Sequence, residues 1–66
     1  MTPRQIEIAK HLANGLKNKQ IAEQVGLSEK TVKAHITQIY KAYSVTSRAQ
    51  FVRAYMLDMR ENEIKA

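Results

Sequence analysis

A chain of 66 residues allows one domain, with a core near the lower limit of what folds unaided, and its lack of cysteine excludes disulfides, zinc–thiolate sites and thiol nucleophiles. The formal charge of +5 is unevenly placed: residues 1–57 carry nine Lys and Arg against three acids, and residues 58–66 carry two against three. A basic body points to a polyanionic partner, either nucleic acid or an anionic membrane surface. No apolar run approaches the ~20 residues of a membrane span and no secretory signal is visible, so the expected location is the cytoplasm, with no membrane-spanning segment.

Punctuation residues divide the chain into four helices. Thr2-Pro3-Arg4-Gln5 has the capping-box pattern: a hydroxyl for the N-cap, a proline where a helix needs no N–H, and an amide that can reach back. Met1 and Ile6 stand at hydrophobic-staple positions, and Ile6, Ile8, Ala9, Leu12 and Ala13 supply an apolar stripe. Gly15 is the expected C-cap. Asn18 is expected to cap a second helix carrying Ile21, Ala22 and Val25, and Gly26 closes it. Ser28 caps the third helix, whose apolar face is Val32, Ile36, Ile39 and Tyr43. Residues 44–46 break the pattern, and Ser47-Arg48-Ala49-Gln50 repeats the capping-box spacing at the start of a fourth helix. The expected buried stripe of that helix is Ala49, Val52 and Met56, flanked by Phe51 and Tyr55, with Met59 as a further core filler. Residues 61–66 are polar and expected to fray, which leaves residues 1–60 as the domain. β-branched residues never alternate over a sustained run, so the expected fold class is all-α, a compact four-helix domain.

The second and third helices carry the functional signal. Their spacing across Gly26-Leu27-Ser28 is a helix-turn-helix pattern: glycine for the bend, leucine to pin the helices together, serine to cap the next one. In that motif the second helix enters the major groove of DNA. The outward face of the third helix carries Lys30, Lys33, Ala34, Thr37, Gln38 and Lys41, with Glu29 as its one acid, at the helix start. Lys33 can donate to guanine O6 and N7, Ala34 admits close approach and can touch a thymine methyl, and Thr37 can donate or accept. Lys30 and Lys41 are better placed for phosphates, and the amides near Asn18 and Ser28 can hold phosphates too.

On KNKQIA at 17–22, LSEKTVKAHI at 27–36 and VTSRAQ at 45–50, the chain resembles the LuxR/FixJ/GerE-type DNA-binding domain shared by NarL-like response-regulator effector domains; the likeness runs over residues 2–52. The resemblance implies a recognition helix at about 29–43 in the major groove. It implies base contacts from Lys33, Ala34 and Thr37. Phosphate contacts fall on Asn18, Lys19, Ser28, Lys30 and Thr31, and Lys41 joins them from its place on the same face. The fourth helix would mediate dimerisation through Gln50, Ala54 and Leu57, so that two domains read two half-sites. The implied setting is bacterial transcription regulation, as the output domain of a two-component response regulator or a signal-binding regulator. The partners are then double-stranded DNA, a second copy and RNA polymerase, with no cofactor and no small-molecule ligand in this domain. Two departures stand out. Gln5 occupies a position where many members have glutamate, so the capping box can close but no charge is supplied. Tyr43-Ser44 stands where members often have Leu-Gly, and serine in a left-handed cap costs more than glycine. The exit into the fourth helix, and with it the dimer angle, is where a difference from the family is expected.

Two rival readings remain. A sigma-factor region-four-like module is opposed by the SRAQ segment and the fourth helix. A helical protein-interaction module would dock through the fourth helix and lack a steep salt dependence on DNA. An enzyme is not expected, because no glycine-rich phosphate loop and no clustered nucleophile, base and acid are present. His11 reads as an exposed helix residue and His35 as one that packs or bonds locally at the edge of the core. Neither has the spacing of a metal site. Tyr40 and Tyr43 fit core or edge packing better than base stacking.

Overall fold

The first helix, α1 (Pro3–Ala13), begins where the sequence places it. Thr2 is extended, its Oγ1 accepts from the Gln5 N–H, and Gln5 Oε1 accepts from the Thr2 N–H, both at 3.2 Å. The computed structural model describes the backbone of residues 1–65 and the side chains of residues 1–59, and continues with α2 (Asn18–Val25), α3 (Glu29–Ala42) and α4 (Arg48–Lys65). The fold is all-α, with no strand among the described residues. The side chains of residues 61–66, where fraying is expected, lie outside that description, and α4 is described as far as Lys65.

Three helix ends use one device. A residue with positive φ turns the chain, and the next N–H reaches back five residues to a carbonyl of the last turn. Gly15 (φ +87°) does this for α1, with Leu16 N–H on the His11 carbonyl at 3.2 Å. Gly26 (φ +70°) does it for α2, with Leu27 N–H on the Ala22 carbonyl at 3.1 Å. Ser44 (φ +55°) does it for α3, with Val45 N–H on the Tyr40 carbonyl at 3.0 Å. Serine thus takes a conformation that suits glycine, at a cost on the order of 1 kcal/mol.

The start of α2 departs from expectation. Lys17 is the N-cap and Asn18 the first helical residue. The Lys17 N–H donates to Gln20 Oε1 at 2.9 Å, which is the reaching-back half of a capping box. The Lys17 ammonium, a donor only, cannot supply the other half. At α4, Ser47 Oγ accepts from the Gln50 N–H as the spacing predicts. The Gln50 side chain instead turns to Thr46, accepting from its N–H and its Oγ1 at 2.9 and 3.1 Å.

The core is built from Ile8, Ala9 and Leu12 of α1, Ile21, Ala22 and Val25 of α2, Val32, Ile36 and Ile39 of α3, and Phe51 of α4. Phe51 is fully buried, with its ring 5.1–5.9 Å from those of Tyr40, Tyr43 and Tyr55. Partial burial, then the Asp58 carboxylate and Tyr55, holds the Tyr43 phenol above its ordinary 10.0.

Two expected stripes are rotated. In α1, Gln5 takes the inner position and Ile6 is exposed, as is Met1. In α4 the inner residues are Arg48, Phe51, Val52 and Tyr55, whereas Ala49, Met56 and Met59 are exposed. The larger aromatic area of Phe51 sets this rotation, since turning Ala49 and Met56 inward would move it out.

Two arginines complete the structure. Arg48 donates to the Leu16 carbonyl and, at 3.3 Å, to that of Leu12, at the C-terminal end of α1. Arg4 donates to the Val25 carbonyl at 2.7 Å, at the end of α2. All three are charge-assisted bonds to carbonyls at or just past a helix end.

In urea or thermal unfolding, Phe51→Ala should cost about 3–5 kcal/mol and Met56→Ala no more than about 0.5 kcal/mol. A larger loss at Met56 would restore the stripe of Ala49, Val52 and Met56. Relief of the left-handed serine by Ser44→Gly should raise the melting temperature by about 4–8 °C, the shift for roughly 1 kcal/mol in a domain of this size.

Candidate nucleic-acid interface

α3 has two long faces with different tasks. Val32 and Ile39 are fully buried and Ile36 nearly so. Lys30, Thr31, Lys33, Ala34, Thr37 and Lys41 are all exposed on the other side. Lys33, Ala34 and Thr37 lie on neighbouring turns and form one patch, with Lys30 and Lys41 at its two ends. The salt bridge among the described residues joins Arg4 to Glu7 at 3.9 Å. The α3 lysines therefore stand without an acidic partner among those residues, and their charge faces solvent. Thr37 Oγ1 donates to the Lys33 carbonyl at 3.1 Å, so the hydroxyl presents its lone pairs outward beside its methyl group.

The turn before α3 presents backbone donors. Ser28 Oγ accepts from the Thr31 N–H at 3.2 Å and donates to Thr31 Oγ1 at 3.0 Å. The Val32 N–H goes to the Ser28 carbonyl. The N–H groups of Glu29 and Lys30 have no intrahelical partner, and the positive end of the helix dipole adds to their pull on an anion. At the start of α2, Lys19 is exposed and Asn18 half-buried. α2 packs against α3.

Gln38 and His35 are placed differently from the rest of the face. Gln5 Nε2 donates to Gln38 Oε1 at 2.5 Å and lies 3.4 Å from His35 Nδ1. His35 bonds locally, as expected, and Gln38 is tied to α1 while its residue stays exposed. The burial of Gln5 was missed at sequence level, although its spacing to Ile8, Ala9 and Leu12 puts it on their stripe. On α4, Gln50, Ala54 and Leu57 share a face by spacing. Gln50 is occupied by Thr46, while Ala54 and Leu57 border an open groove with Met1, Ala42, Tyr43 and Asp58. No helix among the described residues is long and apolar enough to cross a membrane.

Residues 1–55 match the family described as bacterial regulatory proteins, luxR family. The chain belongs to that family. Its members are DNA-binding regulators, which agrees with the exposed basic helix and the helix-turn-helix geometry. The chain is 39% identical over 56 residues to the transcriptional regulatory protein YdfI of Bacillus subtilis, covering 85% of this chain and 26% of that protein. It is 44% identical over 48 residues to the nitrate/nitrite response regulator protein NarP of Escherichia coli, covering 73% and 22%. A nitrate/nitrite response regulator homologue of Haemophilus influenzae is 40% identical over 62 residues, covering 94% and 28%. The chain thus spans about a quarter of the length of the curated relatives it matches. No solved structure matches it.

Proposed function

We propose that this domain reads double-stranded DNA sequence-specifically, with α3 in the major groove, as the output part of a bacterial regulator. The observation that carries the reading is the outer face of α3. It is slim, exposed and free of acidic partners among the described residues, on a helix whose other side is the core. Lys33 donates to guanine, Ala34 meets a thymine methyl, and Thr37 offers an acceptor and a methyl group. Lys30, Lys41, Lys19, Asn18 and the Ser28–Thr31 turn hold phosphates and set the register. Relatives that are named response regulators and are about three times this length support a separate signal-receiving part. RNA polymerase is the further partner of such a regulator.

The domain acts as a dimer on two half-sites, through Ala54 and Leu57 of α4 and the groove they border, with Gln50 at the end of the same face. A protein-docking module using the exposed Met56, Leu57 and Met59 is the rival that this surface also supports. Selection of bound duplexes from a random pool separates the two. DNA reading yields a two-fold-related pair of short half-sites and an affinity that falls steeply with salt. Enrichment of no sequence, with flat salt dependence, leaves the docking module standing.

On the selected duplex, Lys33→Ala should lose about 1–3 kcal/mol and relax one base position, whereas Lys41→Ala should weaken all duplexes alike and reduce the salt slope by about 1. Equal loss on selected and random duplexes would move Lys33 to the phosphate class. For the dimer, sedimentation with a palindromic duplex should give two chains per duplex, and Leu57→Asp should abolish the cooperativity while leaving single half-site affinity intact. One chain per duplex at all concentrations would remove the α4 contact.

A further inference from the structure

Gln5 is 7% exposed, and every polar group of its side chain is engaged. One end of this series of hydrogen bonds has a direction that cannot change. The Thr2 backbone N–H can only donate, so the Gln5 atom facing it is Oε1. That choice turns Gln5 Nε2 toward α3. A donor arriving at Gln38 requires the Gln38 oxygen to face inward, and the Gln38 NH2 group is then turned outward. It stands at the edge of the face that carries Lys33, Ala34 and Thr37. A backbone amide at the start of α1 therefore dictates which end of an amide the recognition helix shows.

We propose that Gln38 is a specificity-determining residue that offers DNA a hydrogen-bond donor, and that Gln5 is the positioning residue that fixes this polarity. The proposal rests on the DNA reading given above. A free glutamine can bind adenine through both ends of its amide, donating to N7 and accepting from N6. With its oxygen turned to Gln5, Gln38 keeps only the donor. It therefore favours base edges rich in acceptors: guanine with O6 and N7, or thymine with O4. Neither the base contacts at Lys33, Ala34 and Thr37 nor the phosphate contacts include this residue.

Gln5→Glu reverses the polarity with little change of shape. A glutamate oxygen still accepts from the Thr2 N–H, and a carboxylate in the first turn of α1 suits the helix dipole. The other oxygen can only accept, so Gln38 must turn its NH2 inward and its oxygen outward.

The test has three readouts on the full 66-residue chain at pH 8: amide exchange, base preference and affinity. Without DNA, NMR should show the Gln38 NH2 protons exchanging freely with water in the parent and protected in Gln5→Glu. With a random duplex pool, the base facing residue 38 should change from guanine or thymine to cytosine or adenine, while the bases read by Lys33 and Thr37 stay the same. Gln38→Glu keeps the inner acceptor and removes the outer donor, and should bind the parental site about tenfold more weakly. In a Gln38→Ala background, Gln5→Glu should leave base preference unchanged. Any of four results overturns the proposal: equal exchange in the two proteins, an unaltered base preference in Gln5→Glu, full affinity in Gln38→Glu, or a change that survives Gln38→Ala and so runs through His35 or α1. A parent that selects no sequence would overturn the DNA reading itself. That outcome is seen before any variant is compared, and the exchange data then still report the polarity separately.

Discussion

The outer face of α3 has a fixed direction only because Val32, Ile36 and Ile39 are held by α1 and α2. A fourteen-residue helix is marginal by itself in water, and its helicity here is drawn from packing one stripe against neighbours. The same stripe fixes rotation. Turning α3 by one residue would expose Ile39 or Val32 and carry Lys33 toward the core, at a cost of several kcal/mol in lost burial and charge desolvation. The core thereby aims the side chains that meet the proposed partner.

A domain this small has little interior in which to hide helix ends, and its ends are closely managed. Each of the first three helices closes with a left-handed residue, and two of them receive an arginine from elsewhere in the chain. Arg48 links the start of α4 to the end of α1, and Arg4 links the start of α1 to the end of α2. These bonds are long-range in sequence and local in space, so they join helices that the short loops alone would leave free to splay. Ser44 is the exception in chemistry. It makes the turn into α4 at some energetic cost.

The four helices, the turn between α2 and α3 and the two faces of α3 were legible in the sequence because glycine, serine and helical spacing speak directly to backbone geometry. The rotations of α1 and α4 were not. In α1, hydrophobicity favours Ile6 over Gln5, yet Gln5 lies inside because Thr2, Gln38 and His35 satisfy its amide, which removes the penalty of burying it. Gln38 and His35 come from α3 and cannot be seen in α1 alone. In α4, Ala49, Phe51, Val52, Ala54, Tyr55, Met56 and Leu57 surround the helix, so periodicity defines several competing stripes. Tyr40 and Tyr43 decide among them by offering Phe51 an aromatic pocket, a tertiary fact. Of the proposed interface, the lysines, Ala34 and Thr37 were legible from spacing. The tether on Gln38 was not, since it depends on the same hidden position of Gln5.

The charge pattern has a cost that the proposed function explains. Lys30, Lys33 and Lys41 line one side of α3 without acids among the described residues to offset them, so they repel one another in the free domain. A chain shaped for stability alone would interleave glutamates along this face and gain several weak surface pairs. Glu29 stands only at the helix start, where it favours the dipole and lies outside the patch of Lys33, Ala34 and Thr37. Added salt then acts in opposite senses on the two properties. It screens the lysines from one another and eases folding, and it weakens their hold on a phosphate backbone by competing for the same charge. The unpaired face is therefore a small instability retained where a polyanion would relieve it.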